Sequence, residues 1–283
     1  MTKFAPDNDI LDVIYAEQTD PDWLIPDMLP QGTLVCLAGD SNVGKSYVSY
    51  MLGLALATGL KTLGGIKLAE EPKRVLYFDE ENSPIDRETY VRRCWKGLTV
   101  QNQEEPDPGL VNENFWLAAN ALGSENWADN AAKWIEHVRP HVCIYDTATP
   151  AFNIQDENAN AEAQQTIKKL RGLMSLTDPV HASIVLRHAK VGKDAVGRRT
   201  MRGAKAWRSA VDGVIFHVKA AGRPKKSGLN LTRLERDKVR AFGLTSSIYI
   251  TPSYTDGDKT GLVLHCSRIP DREHKRAERT EVD

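Results

Sequence analysis

What the chain lacks narrows its class first. No apolar run approaches the ~18–20 residues that a bilayer span needs, the longest greasy stretch covering only residues 52–57. The opening MTKFAPDNDILDVIYAEQTD is acidic and has no apolar core segment, which argues against a secretory signal. The four cysteines, Cys36, Cys94, Cys143 and Cys266, are scattered, with no C-x-x-C pair and no Cys/His cluster, so no structural metal is expected. Neither sign of charge is in excess: 37 Lys plus Arg face 38 Asp plus Glu, for a net charge of −1. That excludes a wholly basic nucleic-acid coat but leaves room for a local basic patch. No Pro/Gly/Ser-rich linker divides the middle of the chain and no internal repeat is visible, so one large domain is expected. Together these absences lead us to expect a soluble, cytoplasmic protein of a reducing compartment, without a membrane partner.

What is present is an alternation. Short apolar runs at residues 33–38 (TLVCLA), 74–79 (RVLYFD), 115–118 (FWLA), 142–146 (VCIYD), 182–186 (ASIVL) and 213–218 (GVIFHV) read as strands, most of them covered on both faces. Helical patterns over 45–58, 85–98, 126–138 and 159–174 separate them. This predicts an α/β fold on a mainly parallel sheet flanked by helices. Beyond residue 219, shorter segments at 229–236, 247–251 and 261–265, divided by Gly, Asp and Pro, read as a small antiparallel C-terminal extension. The end, DREHKRAERTEVD, is almost wholly polar and reads as a disordered tail or a partner-binding helix.

One motif is specific. Gly39-Asp40-Ser41-Asn42-Val43-Gly44-Lys45-Ser46 matches G-x-x-x-x-G-K-[ST], with Tyr47 following, and it sits between a strand pattern and a helix pattern as that motif requires. Its glycines let backbone N–H groups wrap phosphate oxygens, and the helix start adds a favourable field. Lys45 is expected to reach the β- and γ-phosphates and the Ser46 hydroxyl to ligate Mg²⁺. The sequence thus points to a nucleoside triphosphate and Mg²⁺. No N-K-x-D guanine-reading motif is present, which leans toward ATP.

Other strand ends supply candidate partners. The run 142–146 closes on Asp146, the form of a Walker B strand, so Asp146 is a second candidate for holding Mg²⁺; a turn-capping aspartate is the plainer alternative. Asp79-Glu80-Glu81 ends the strand after the phosphate loop, where an acid could orient an attacking water. Thr147 follows Asp146, so that acid must come from this other strand, as Glu81 or Glu80. A solvated acidic loop would explain the same triplet. Leu186-Arg187-His188 ends the next strand, and His188 there is a candidate γ-phosphate sensor or a merely structural histidine.

The charge balance hides a local excess. Residues 187–208 carry Arg187, Lys190, Lys193, Arg198, Arg199, Arg202, Lys205 and Arg208 against Asp194 alone, a local charge of +7 on a glycine-containing loop. Such a cluster suits salt-dependent, sequence-independent contact with nucleic-acid phosphates through Lys190, Lys193, Arg198, Arg199 and Lys205, or is a solvated loop. A second basic run spans 219–226; apart from Trp207 neither run is interleaved with aromatics, so base stacking is expected to be weak.

These residues together resemble the RecA/DnaB-like P-loop ATPases, more closely the RepA-type hexameric helicases of plasmids and their phage relatives. The resemblance rests on Trp23-Leu24-Ile25-Pro26 through Gly32-Thr33-Leu34 into the phosphate loop, on Glu81-Asn82, on Tyr145-Asp146-Thr147, on Asp156-Glu157-Asn158-Ala159, and on Arg202-Gly203-Ala204-Lys205-Ala206-Trp207-Arg208 leading to Ala210-Val211-Asp212. It implies a lead-in over residues 1–22, a RecA-like ATPase domain over 23–267 and a charged tail over 268–283. It also implies that Glu81 is the catalytic glutamate and His188 the γ-phosphate sensor. Lys238-Val239-Arg240 resembles a K-x-R finger reaching a neighbouring subunit's ATP, with Arg202 a second finger candidate. The basic segment would then face a channel carrying single-stranded DNA, and 147–160 would be the other channel loop, its acidity suiting it to shape the site and not to hold phosphates. Ala204-Lys205 replaces a small Ser-Ser pair, and Arg187 stands where relatives carry a second histidine. The function implied is a Mg²⁺-dependent, ring-forming replicative DNA helicase. A filament-forming recombinase or annealing ATPase, or a KaiC-like switch acting on protein and not DNA, are the alternatives.

Overall fold

The computed structural model describes residues 22–268 apart from 27, 124, 194–198, 202–204, 220–228, 230, 240–246 and 256–258; the side chains at 190–193, 199–201, 216 and 236–239 also lie outside that description. A hairpin of β1 (Trp23–Ile25) and β2 (Leu29–Pro30) leads into β3 (Leu34–Gly39) and α1 (Lys45–Ala57). A second hairpin, β4 (Thr62–Leu63) and β5 (Ile66–Lys67), precedes β6 (Val75–Asp79). There follow α2 (Pro84–Asn102), α3 (Pro108–Asn114), β7 (Phe115–Ala119), α4 (Trp127–Val138), β8 (Val142–Asp146), α5 (Ala148–Ala151), α6 (Asn160–Met174), β9 (Ala182–Lys193), β10 (Arg199–Met201), α7 (Lys205–Ala210), β11 (Gly213–Lys219), β12 (Thr232–Val239), β13 (Ile248–Tyr254) and β14 (Leu262–Ser267).

The main sheet runs β14-β13-β12-β11-β3-β9-β8-β6-β7, with β10 paired to β9. From β11 to β7 neighbouring strands are parallel, and β12, β13 and β14 add antiparallel at the β11 side. The expected mixed α/β architecture with an antiparallel extension is therefore present. Residues of β3, β6 and β8 are buried throughout because helices cover both faces. One face packs α1 and α2 through Tyr50, Met51, Leu54 and Leu98; the other packs α4, α6 and α7 through Ile135, Leu170 and Trp207.

Several expectations are corrected. The strand predicted at 115–118 extends to Ala119 as β7, which is the sheet edge and the exception to full cover, with Leu117 exposed there. The basic stretch 187–208 is not a loop throughout, since β9 continues to Lys193, β10 pairs back on it, and α7 begins at Lys205. Arg187 and Trp207 are not surface residues. Both are buried, the guanidinium carbon 4.3 Å from the indole centroid, so the charge sits on an aromatic face. The acidic stretch 147–160 is partly helical through α5, with Thr149 donating to Glu157 at 2.6 Å.

Register sets the site. Along the carboxyl ends of the parallel strands, His217 pairs with Gly39, Gly39 with His188, and Asp79 with Asp146. Chemistry in an open α/β sheet gathers at such an edge. The antiparallel extension is locked to the same body, because a Cβ built on Gly97 of α2 would lie 1.7 Å from the Leu262 carbonyl oxygen of β14. A backbone atom cannot swing aside, so Gly97→Ala is expected to lower stability by about 3 kcal/mol, seen as a lower denaturant midpoint. Chemical unfolding of the variant beside the parent chain measures this.

Candidate functional site

The loop between β3 and α1 is built to receive an anion. Gly44 caps α1 in the left-handed region (φ 96°), no side chain caps the helix, and its first turn holds no acid. The uncapped amides at that end are therefore available to an outside acceptor. By contrast, α2 is closed by its own residues, with Ser83 Oγ accepting from the Asp86 amide at 3.2 Å and Pro84 leading the first turn. Gly39 is required for a different reason: a Cβ there would meet the His217 carbonyl oxygen at 2.5 Å. Lys45 is buried, its Nζ donating to the Gly39 and Asp40 carbonyls at 3.0 and 2.9 Å. Burial pulls its ammonium below the ordinary lysine range, against the pull of Asp146, Glu81 and Asp40.

Beside this loop lie two carboxylates, Asp79 and Asp146, both almost fully buried. Each takes a tyrosine hydroxyl: Tyr50 donates to Asp79 at 2.6 Å and Tyr77 to Asp146 at 2.8 Å, and the two rings stack with centroids 4.2 Å apart. Asn82 Nδ2 donates to both Asp79 oxygens at 3.1 Å and reaches Asp146 Oδ2 at 3.5 Å. Burial raises the Asp146 carboxyl to about 6, although the Tyr77 and Ser46 hydroxyls favour its charged form. Its Oδ1 is buried with no hydrogen-bond partner among the described residues. An orphaned carboxylate oxygen next to the Ser46 hydroxyl is a donor set that fits a hard divalent cation. Ser46 and Asp146 are thus the residues that would hold Mg²⁺.

The two glutamates of the triplet separate cleanly. Glu80 turns away from the loop, its Oε1 accepting the Ala121 and Leu122 amides at 2.8 and 3.2 Å; it organises the turn after β7. Glu81 lies within Coulomb range of Lys45, with Oε2 accepting the Thr147 hydroxyl at 2.7 Å and Oε1 4.0 Å from His188 Nε2. Lys45, Ser46, Asp146, Glu81 and His188 are therefore brought to one edge. Asp40 to Gly44 form the loop itself, and the Tyr47 hydroxyl accepts from Arg93 at 2.9 Å. Lys205 is exposed at the start of α7. Arg198, Arg202 and Arg240 lie outside the described residues, as do the side chains of Lys190, Lys193, Arg199 and Lys238.

Tyr50, Tyr77 and His217 were not legible as site residues, while Asp79, Asn82 and Thr147 stood in candidate motifs without a role of their own. Tyr50 carried a signal, standing four residues after Ser46 on the same helix face.

The model of a family described as AAA domain (AAA_25) matches residues 3–194. No curated protein matches the chain. No helix among the described residues is long and apolar enough to cross a membrane.

Two expectations follow from this geometry. A carboxyl whose native pKa is raised stabilises the fold only while protonated, and that contribution is lost as pH rises from about 4 through about 6. Asp146→Asn is accordingly expected to melt higher than the parent at pH 7.5 without divalent cation, by up to ~3 kcal/mol, and to match it near pH 4. Calorimetry at the two pH values decides. Glu81→Gln is expected to cut nucleotide turnover by about 100-fold or more, while Glu80→Gln, which keeps an acceptor for both amides, stays within a few-fold; steady-state phosphate release compares them.

Proposed function

The chain belongs to the AAA domain family of P-loop ATPases, and from that premise we propose a Mg²⁺-dependent ATPase of RecA-like fold, spanning residues 23–267, that works as an oligomeric, RepA-type ring helicase on single-stranded DNA. In this reading the loop amides and Lys45 bind the triphosphate, and Ser46 and Asp146 hold the cation. When bound, Mg²⁺ neutralises charge developing on the transferred phosphoryl group. Glu81, oriented by the Thr147 hydroxyl, takes a proton from the attacking water. His188, 4.0 Å from Glu81, registers whether the γ-phosphate is in place. Lys238, Arg240 or Arg202 serves as the finger completing a neighbour's site, which makes a single subunit incomplete.

One observation carries the nucleic-acid part of this reading. His188 sits on the strand that runs on into the basic segment, and its neighbour Arg187 stacks on Trp207 of α7, where that segment ends. Alternation along a strand sends these two side chains to opposite faces. Motion of β9 on γ-phosphate loss therefore bears on both ends of the stretch holding Lys190, Lys193, Arg198, Arg199 and Lys205. Trp207 is buried, so contact with DNA rests on phosphates and not on stacking, and should weaken steeply with salt.

The test is the ATPase rate with and without a long single-stranded oligonucleotide, at low and at physiological salt. Stimulation of about tenfold that fades with added salt is the expected result, followed by strand displacement. A rate indifferent to the oligonucleotide at both salts would reject the DNA reading in favour of a switch acting on a protein partner.

A further inference from the structure

Glu81 has little around its own side chain to aim it. That side chain is 45% exposed; its carboxylate accepts the Thr147 hydroxyl and lies 4.0 Å from the His188 ring. A long carboxylate on a turn has several rotamers open to it, so its aim depends on how firmly the backbone beneath is set.

The turn beneath it is fastened to the ends of two strands. The Glu80 amide donates to the Asp146 carbonyl at 2.8 Å. The Glu81 and Asn82 amides donate to Asp79 Oδ1 at 3.3 and 2.9 Å, a carboxylate closing a turn over the residues that follow it. The Arg87 guanidinium, in the first turn of α2, donates to the Asn82 carbonyl. The Asn82 side chain adds a bridge: its Nδ2 lies 3.1 Å from each Asp79 oxygen and 3.5 Å from Asp146 Oδ2. Tyr50 and Tyr77 serve one acid each, whereas Asn82 reaches both. A primary amide carries two N–H donors on one short stem, which suits two neighbouring carboxylates. Aspartate in its place would add a third negative charge. Asn82 and Tyr77 also approach the same Asp146 oxygen, which leaves Oδ1 as the one open to a cation.

We propose that Asn82 is a positioning residue for hydrolysis: its amide ties the turn that carries Glu81 to Asp146, so that the glutamate and the cation-holding carboxylate keep one fixed relation. Asn82 touches no reacting atom in this assignment and acts through Glu81. The carboxyl end of β8 then holds Glu81 twice, through Thr147 on its carboxylate and through Asp146 on its neighbour's amide. Misplacing a reacting group by about 1 Å costs on the order of 100-fold in rate, so a bridge this short is enough to set turnover.

This inference rests on Glu81 being the hydrolytic acid, and the test keeps the two apart. Asn82→Ala is expected to lower kcat for ATP by about 100-fold, with KM within about threefold of the parent. Asn82→Asp keeps the shape and loses the donors, and is expected to fall equally far. In a Glu81→Gln background, Asn82→Ala should change the residual rate by less than about threefold, because the group it aims is already gone. Parental kcat in either single variant, a raised KM with kcat unchanged, or losses that multiply in the double variant would overturn the positioning role while leaving Glu81 its own. Hydrogen exchange of the parent chain without nucleotide depends on no variant's folding. Its Glu81 and Asn82 amides are expected to exchange about 100-fold or more slower than free backbone, and exchange at free-backbone rates would overturn the clamp. A Glu81→Gln chain that turns over ATP at the parental rate would overturn the hydrolytic reading of Glu81 and this inference with it.

Discussion

Two buried carboxylates on neighbouring strands govern this site. Asp79 and Asp146 are register partners at the carboxyl ends of β6 and β8, and like charges so placed in a dry interior repel strongly. The fold answers with a stacked pair of tyrosines, each giving its hydroxyl to one acid, and with an asparagine between them. The two tyrosines and the asparagine come from three elements: α1 brings Tyr50, β6 brings Tyr77, and the turn before α2 brings Asn82, whose own backbone amide and that of Glu81 also reach Asp79. Loss of register anywhere along β6 and β8 would strand a charge. The arrangement leaves one Asp146 oxygen without a partner, and that one oxygen is where a cation can be taken up. Stability is thus set against chemistry at a single atom.

The sequence made the phosphate loop readable because its chemistry demands fixed residue types at fixed spacing, and the uncapped, left-handed start of α1 is what those glycines provide. Most parallel strands were readable as continuous apolar runs, since strands covered on both faces carry no alternation to confuse. The hairpins β1–β2 and β4–β5 escaped notice because two or three residues leave no period. Glu80 and Glu81 could not be told apart from sequence. Neighbours on a turn point in different directions, and the deciding facts were two amides about forty residues downstream and one hydroxyl just past the end of β8.

Arg187 and Trp207 show the opposite failure. Each looked like surface when weighed alone, a cation in a basic run and an aromatic beside it. Charge counts treat side chains as independent, whereas an arginine laid on an indole face can be buried at tolerable cost. The +7 excess of that stretch therefore overstates what faces solvent by at least this residue.

The contact of Gly97 with Leu262 has a consequence for descent. The family match ends at residue 194, but the sheet does not: β11 pairs with the phosphate-loop strand itself, and β14 rests on the helix that follows Glu81. Truncation at the end of the matched region would therefore strip the phosphate-loop strand of its β11 neighbour and uncover the Gly97 face of α2. Drift in β14 must be answered by drift in α2, so variation beyond the matched region should track variation within it.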